Sequence, residues 1–161
     1  MTQITFTPIG IIHTPFKTPE GAPIQPHRSG GAAGTVEVHS EFAEGLSDLD
    51  GFSHIILLYH LHLSKGYKLK VVPFLDDQER GLFATRAPRR PNPIGVSIVR
   101  LQRIEGNVLH IADIDMVDGT PLLDIKPHVP HFDTTDNFRI GWLTDKARHS
   151  PGTRADDRFQ K

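Results

Sequence analysis

Ile94-Gly-Val-Ser-Ile-Val-Arg-Leu-Gln-Arg-Ile104 is followed, across Glu105-Gly106-Asn107, by Val108-Leu-His-Ile-Ala-Asp-Ile-Asp-Met116. Two runs rich in β-branched residues joined by a glycine–asparagine turn are hairpin chemistry. Alternation within each run is imperfect, as expected where neither face is fully wet. Working outward, Phe52 to Leu63 is the most apolar run of the chain, and its length fits a buried strand better than a helix. Gly34 to His39 is expected to be a short strand with Val36 and Val38 on one face. Ile4 to His13 reads as another, interrupted at Pro8. Ser40 is expected to cap a single turn over residues 41–44, and Asp48-Leu-Asp50-Gly51 and Asp118-Gly119 are turn signals. Pro121 to Ile125 and a weaker Val71-Val72 complete six or seven strands with little helix. The expected fold is mainly β, a small barrel or curled sheet.

Just before the hairpin lies Gly81-Leu-Phe-Ala-Thr-Arg86-Ala-Pro-Arg89-Arg90-Pro91-Asn92-Pro93-Ile-Gly95. Each proline holds its own φ near −65° and drives its predecessor towards extended backbone. The stretch is therefore expected to be a stiff cationic loop between two strands, aiming Arg86, Arg89, Arg90 and Asn92. Planar guanidinium groups suit carboxylate or phosphate, and an asparagine amide suits an amide or a base edge. The competing account is a rigid turn that merely steadies the hairpin.

Composition narrows the classes. The 161 residues form one domain with room for a real core, and Gly 14 with Pro 13 exceed the usual share of about 12%. A net charge of −1 argues against a general nucleic-acid coat, though the clustered arginines leave room for a local basic patch. The absence of cysteine excludes a disulfide framework and a thiol nucleophile, and fits a cytoplasmic protein. Nothing at the N-terminus resembles a signal peptide, and no apolar run approaches the roughly 20 residues of a membrane span. Gly30-Gly31-Ala-Ala-Gly34 does not sit between a strand and a helix as a dinucleotide fingerprint must, and no P-loop, zinc-protease helix or nucleophile elbow occurs. His60 with His62, and His128 and His131 near Asp124 and Asp133, invite a metal reading. Hydrogen bonds to backbone or water account for them better, so no metal is expected.

Four ordered segments carry a resemblance. They are Ile9 to Pro15, Gly45-Leu46 through Gly51-Phe52-Ser53-His54, Phe83 to Arg86 with Arg90-Pro91-Asn92-Pro93-Ile94-Gly95, and Asp115 through Pro121 with Asp124 to Pro127. Together they resemble the TsaA/YaeB-like family, the tRNA methyltransferase O group, over about Ile9 to Pro130. The resemblance implies a single-sheeted β-barrel over residues 1–143 followed by a polar tail over 144–161. It implies a homodimer that binds S-adenosylmethionine near the subunit interface, and N6-methylation of the threonylcarbamoyl adenosine 3′ of the anticodon in certain tRNAs. Cofactor contacts implied by position are Pro26, His27 and Arg28, then His62 and Leu63, Arg86, Val96, and Ala112, Asp113, Ile114 and Asp115. Arg86 or Arg28 would suit the cofactor carboxylate, and Asp113 or Asp115 its ribose hydroxyls. Asn92, clamped between Pro91 and Pro93, is expected to accept a hydrogen bond from the adenine amino group, with Arg90 beside it as the second catalytic residue. Longer family members carry an additional C-terminal domain, whereas only a short polar stretch follows Trp142. Two further readings stay open: the same cofactor machinery acting on a small molecule or protein, and a non-catalytic barrel that binds the cofactor or RNA.

Overall fold

The computed structural model describes residues 1–24 and 29–146. Eight strands are found among them: β1 (Gly10–His13), β2 (Ala33–Val38), β3 (His54–His60), β4 (Lys70–Val71), β5 (Arg80–Gly81), β6 (Ile94–Glu105), β7 (Val108–Ala112) and β8 (Thr120–Pro127). Six close into a barrel in the order β1-β2-β7-β6-β3-β8, every pairing antiparallel, while β4 and β5 form a separate two-stranded ribbon. Closure matters because it leaves no unpaired edge. The mainly-β barrel expected from the sequence is the fold observed.

Period-two alternation builds the core. Ile12, Val36, Val38, Ile55, Leu57, Tyr59, Val99, Leu101, Leu109, Ile111 and Leu122 point inward and are buried. Leu49 joins them from the short 3-10 turn Leu49–Gly51, and Ile114 and Met116 from the segment after β7. Each such aliphatic side chain contributes about 1.5–3 kcal/mol by leaving water. The hairpin is present, with Glu105 opposite Val108 and Gly106 at φ 61°.

Several expectations are corrected. β1 begins at Gly10, not Ile4, and Ile4 and Phe6 are exposed. Pro8 has no N–H to donate, so the barrel starts only where Ile9 N bonds Leu122 O and Ile9 O accepts from His39 N. β7 stops at Ala112, short of Met116, because Asp113 takes φ 64° and breaks the ladder. Ser40 opens a longer 3-10 turn, Ser40–Leu46, whose N-cap is His39 and which has no side-chain cap. Leu82–Ala84, at the start of the arginine–proline stretch, is a 3-10 turn. The expected weak strand at Val71-Val72 is displaced to Lys70–Val71, and it pairs with Arg80–Gly81. One α-helical turn, α1 (Pro130–Asp133), follows β8. Among the described residues no helix is long and apolar enough to cross a membrane. At the end of the expected domain Trp142 Nε1 donates to Ala84 O at 2.9 Å, and in the expected tail Lys146 pairs with the sequestered Asp76 carboxylate. Residues 147–161 lie outside the described residues.

Gly95 is a steric requirement. It stands opposite Tyr59 in the β3–β6 register, and a Cβ there would overlap the Tyr59 ring. An aromatic laid over a glycine is a known way to pin strand register. Gly95→Ala is therefore expected to lower unfolding free energy by about 1–3 kcal/mol, as overpacking does. Urea denaturation with an unchanged m-value checks this.

Candidate active site

Antiparallel pairing brings the decisive segments to one end of the barrel. His60 stands opposite Ile94, and Ala33 opposite Ala112, so the exit of β3, the entry to β6, the exit of β7 and the entry to β2 share one mouth. Each is extended there by a loop.

The loop after β7 turns a carboxyl inward. Aspartate tolerates the left-handed backbone at Asp113 better than most residues do. Asp113 projects to Arg100, with Oδ2 at 3.3 Å from Nε, and Ile114 is fully buried with its N–H on Ala32 O at 3.3 Å. Asp115 then meets Ser97, whose Oγ donates to Asp115 Oδ1 at 2.6 Å. Ser97 Oγ also lies 2.8 Å from Tyr59 Oη, so the tyrosine supplies the proton of that second bond. A hydroxyl relay, Tyr59–Ser97–Asp115, thus closes the top of the core. Burial pushes the Asp115 carboxyl up to about 7, against the opposing pull of the Ser97 bond, its own backbone N–H and the Arg86 charge. Burial, then the neighbouring Asp115 charge, drives the Tyr59 phenol far above its ordinary value, so it remains a donor.

Within the arginine–proline loop the cations divide their work. Arg90 Nη1 donates to Thr85 O at 2.9 Å and Ala87 O at 3.1 Å, and its guanidinium lies 5.8 Å from the centre of the Phe83 ring. That makes Arg90 a brace inside the loop. Arg89 Nε donates to Lys65 O at 2.9 Å, Ser64 Oγ to Pro88 O at 2.9 Å, and Leu61 N to Pro93 O at 2.8 Å, so the loop is strapped to the turn after β3. Arg86 is exposed, and its charge reaches Asp115 and Tyr59. Asn92 is exposed; its carbonyl accepts from Ile94 N at 2.8 Å, and its side-chain amide makes no hydrogen bond among the described residues.

His62 and Leu63 follow β3 directly. Burial, reinforced by His60, lowers the His62 pKa and keeps the ring neutral at neutral pH. His62, Leu63, Arg86, Asn92 and Ala112 to Asp115 thus belong to the loops and strand ends of one mouth. Val96 does not: it faces outward on β6, 43% exposed, opposite Leu58. Pro26, His27 and Arg28 lie outside the described residues. Ser97 and Tyr59 were missed, although Ser97 alone interrupts the inward-facing apolar parity of β6. Ser29 was also missed: its hydroxyl is buried without a hydrogen-bond partner among the described residues. No group of three His, Cys, Asp or Glu gathers to hold a metal there either, and His128 Nδ1 simply meets Asp133 Oδ2 at 3.1 Å. An open groove of about 710 Å³, lined by Phe42, Leu46, Phe52 and Ile125, lies at the opposite end of the barrel and shares none of the mouth residues.

The raised Asp115 pKa has a consequence for stability. The folded chain keeps this proton to about pH 7, whereas an unfolded aspartate releases it near 4. The folded state holds more protons between those values, so this contribution is complete below about pH 4 and is lost as pH rises through about 7. Asp115→Asn is expected to remove a slope of at most roughly 1.4 kcal/mol per pH unit across that window, measured by denaturant unfolding of both proteins.

The tRNA-methyltransferase O N-terminal domain family matches residues 11–134. A probable S-adenosyl-L-methionine-binding protein of Pyrococcus abyssi is 54% identical over 157 residues, covering 98% of this chain and 85% of that protein. The tRNA (adenine(37)-N6)-methyltransferase of Mus musculus is 34% identical over 140 residues, covering 83% of this chain and 32% of that one. The crystal structure of TrmO from Pseudomonas aeruginosa superposes with a TM-score of 0.74 at 38% identity, covering 88% of this chain. Only 63% of that TrmO chain is spanned. The chain belongs to the tRNA-methyltransferase O N-terminal domain family.

Proposed function

We propose that this protein is a cytoplasmic S-adenosylmethionine-dependent methyltransferase acting on N6 of the threonylcarbamoyl adenosine 3′ of the tRNA anticodon. The observation that carries the reading is the convergence at one mouth of Arg86, the Asp115 relay and an asparagine amide left open between two prolines. Relatives named for S-adenosylmethionine binding and for adenine-N6 methylation of tRNA support the cofactor and the acceptor.

The donor set suits the cofactor. Arg86 offers a guanidinium to a carboxylate, the orphaned Ser29 hydroxyl offers a buried hydrogen bond, and Leu63 beside the mouth offers an apolar wall. When bound, S-adenosylmethionine supplies an electrophilic methyl on a sulfonium. Everything else falls to the chain. The exocyclic adenine nitrogen is a poor nucleophile because its lone pair is delocalised into the ring. Asn92 Oδ1 accepts a hydrogen bond from that amino group and localises the lone pair, while Pro91 and Pro93 fix the geometry so that little is lost to reorientation. N6 of that nucleoside carries a single hydrogen, so as the N–C bond forms the N–H that Asn92 Oδ1 has oriented breaks and its proton is released to the Asp115 carboxylate. A carboxyl that titrates near 7 is suited to that task at neutral pH.

Val96 fits the same reading through a second subunit. Ile56 stands opposite Ile98, and Leu58 opposite Val96, on the outer face of β3 and β6. Val96 and Ile98 are 43% and 42% exposed. A two-fold dimer across this stripe covers it and gives Val96 a place beside the partner's mouth.

Labelled methyl transfer to tRNA carrying the threonylcarbamoyl group, and none to tRNA lacking it, is the expected result. Transfer only to small molecules or proteins would retire the tRNA acceptor, and cofactor binding with no transfer to any acceptor would leave a binding barrel. Asn92→Ala is expected to lower kcat about 100-fold with the cofactor Kd within about threefold. Equal loss in both, or in neither, removes the role assigned to Asn92. Val96→Glu is expected to yield monomers in sedimentation velocity.

A further inference from the structure

Residues 64–90 fold back on themselves beside the mouth. Ser64 Oγ on Pro88 O, Arg89 Nε on Lys65 O and Leu82 N on Leu69 O, each at 2.9 Å, tie the two arms, and β4 with β5 closes the far end. Val71, Leu82 and Ala87 give this flap a small core of its own. The flap is therefore a rigid element with its apolar interior already satisfied.

Two flat side chains remain outside that interior. Tyr67 is 56% exposed and Phe83 74% exposed, one on each arm. The flap carries seven Lys and Arg against three acids, in a chain whose net charge is −1. One of those acids, Asp76, is neutralised by Arg80 at 2.6 Å and by Lys146. Lys65, Lys68 and Lys70 are exposed on the arm that bears Tyr67, and Arg90 lies near the Phe83 ring. Exposed aromatic faces among cations on a rigid support match unstacked bases and their phosphates. A duplex offers no free base face to such rings. The reach of the Arg86 charge to Asp115 puts the flap next to the chemistry.

We propose that this flap grips single-stranded RNA, Tyr67 and Phe83 each stacking on an unpaired base while Lys65, Lys68 and Lys70 meet phosphates. The inference rests on the RNA acceptor proposed above and names the element that holds it. It gives a nearly neutral chain a local means of engaging a polyanion.

The test uses the whole protein, a fluorescent anticodon stem–loop RNA read by anisotropy, and cofactor affinity read by calorimetry. Tyr67→Leu and Phe83→Leu keep apolar bulk but remove the π face, and each is expected to weaken RNA binding about 5- to 100-fold. Phe83→Trp should bind as the parent does, and cofactor affinity should stay within about twofold in all three. Lys68→Ala with Lys70→Ala should reduce the slope of log affinity against log salt by about 1.4, the share of two phosphate contacts. Parental RNA affinity in both leucine variants would overturn the flap and leave the acceptor standing. No RNA affinity in the parent protein, with the cofactor bound, would overturn both.

Discussion

The contact on which the rest depends is the Tyr59 ring lying across Gly95. It is a packing contact between neighbouring strands, and it also sets the chemistry of the mouth. With no side chain at Gly95, the ring can lie flat enough for its hydroxyl to reach Ser97, two residues along the same strand. Ser97 in turn holds Asp115. The glycine that closes the arginine–proline motif therefore serves the barrel core and the relay together. Shifting the β3–β6 register by one residue would turn Ser97 outward and leave Asp115 without its donor. Core register and site geometry are one constraint.

A second constraint is the strap between the turn after β3 and the arginine–proline loop. Its three hydrogen bonds all end on backbone oxygens, at Lys65, Pro88 and Pro93, but two are donated by side chains, Arg89 and Ser64, so the loop is held by its backbone path together with those two donors. Arg90 adds internal bracing, and Trp142 ties Ala84 from outside. Arg80 lies against the Trp142 ring at 5.5 Å and also holds Asp76, whose carboxyl is kept well below the usual range, first by Lys146 and then by Arg80. The last described turn of the chain thereby reaches the loop that presents Asn92. Prolines limit what the loop can adopt, and these outer contacts select among what remains.

Elements with strong local chemistry were legible from residues alone. The glycine–asparagine hairpin, the long apolar β3 and the stiffness of the arginine–proline stretch all follow from two-residue periodicity, turn residues or proline sterics. What was not legible depends on contacts between distant segments. β4 and β5 are two residues each, too short to show a pattern, and exist because they pair with each other. The truncation of the first strand needed the knowledge that Ile9, and nothing before it, faces a partner. At the site, Asp115 stood out as a carboxylate, but its inward turn needed the left-handed Asp113 before it. The roles of Arg86 and Arg90 could not be separated by type. Both are loop arginines, and only the folded loop shows Arg90 bound to carbonyls of its own segment while the charge of Arg86 reaches into the mouth.

A polar site at a barrel mouth has a physical logic that differs from that of a site at the end of an open α/β sheet. An open sheet offers helix N-termini, whose dipoles attract phosphates. This barrel has a single α-helical turn among the described residues and no such field to offer. Charges must come from side chains, and side chains are mobile unless something fixes them. The chain fixes them by two means: hydroxyls from the core hold Asp115 from below, and prolines with backbone straps hold the cationic loop from the side. Burial raises the carboxyl towards neutral pH, the opposite sense to a helix N-terminus, which would stabilise the anion and lower it. The cost is an unfavourable term in folding near neutral pH, set against a core built around the same tyrosine and serine that hold the carboxyl in place.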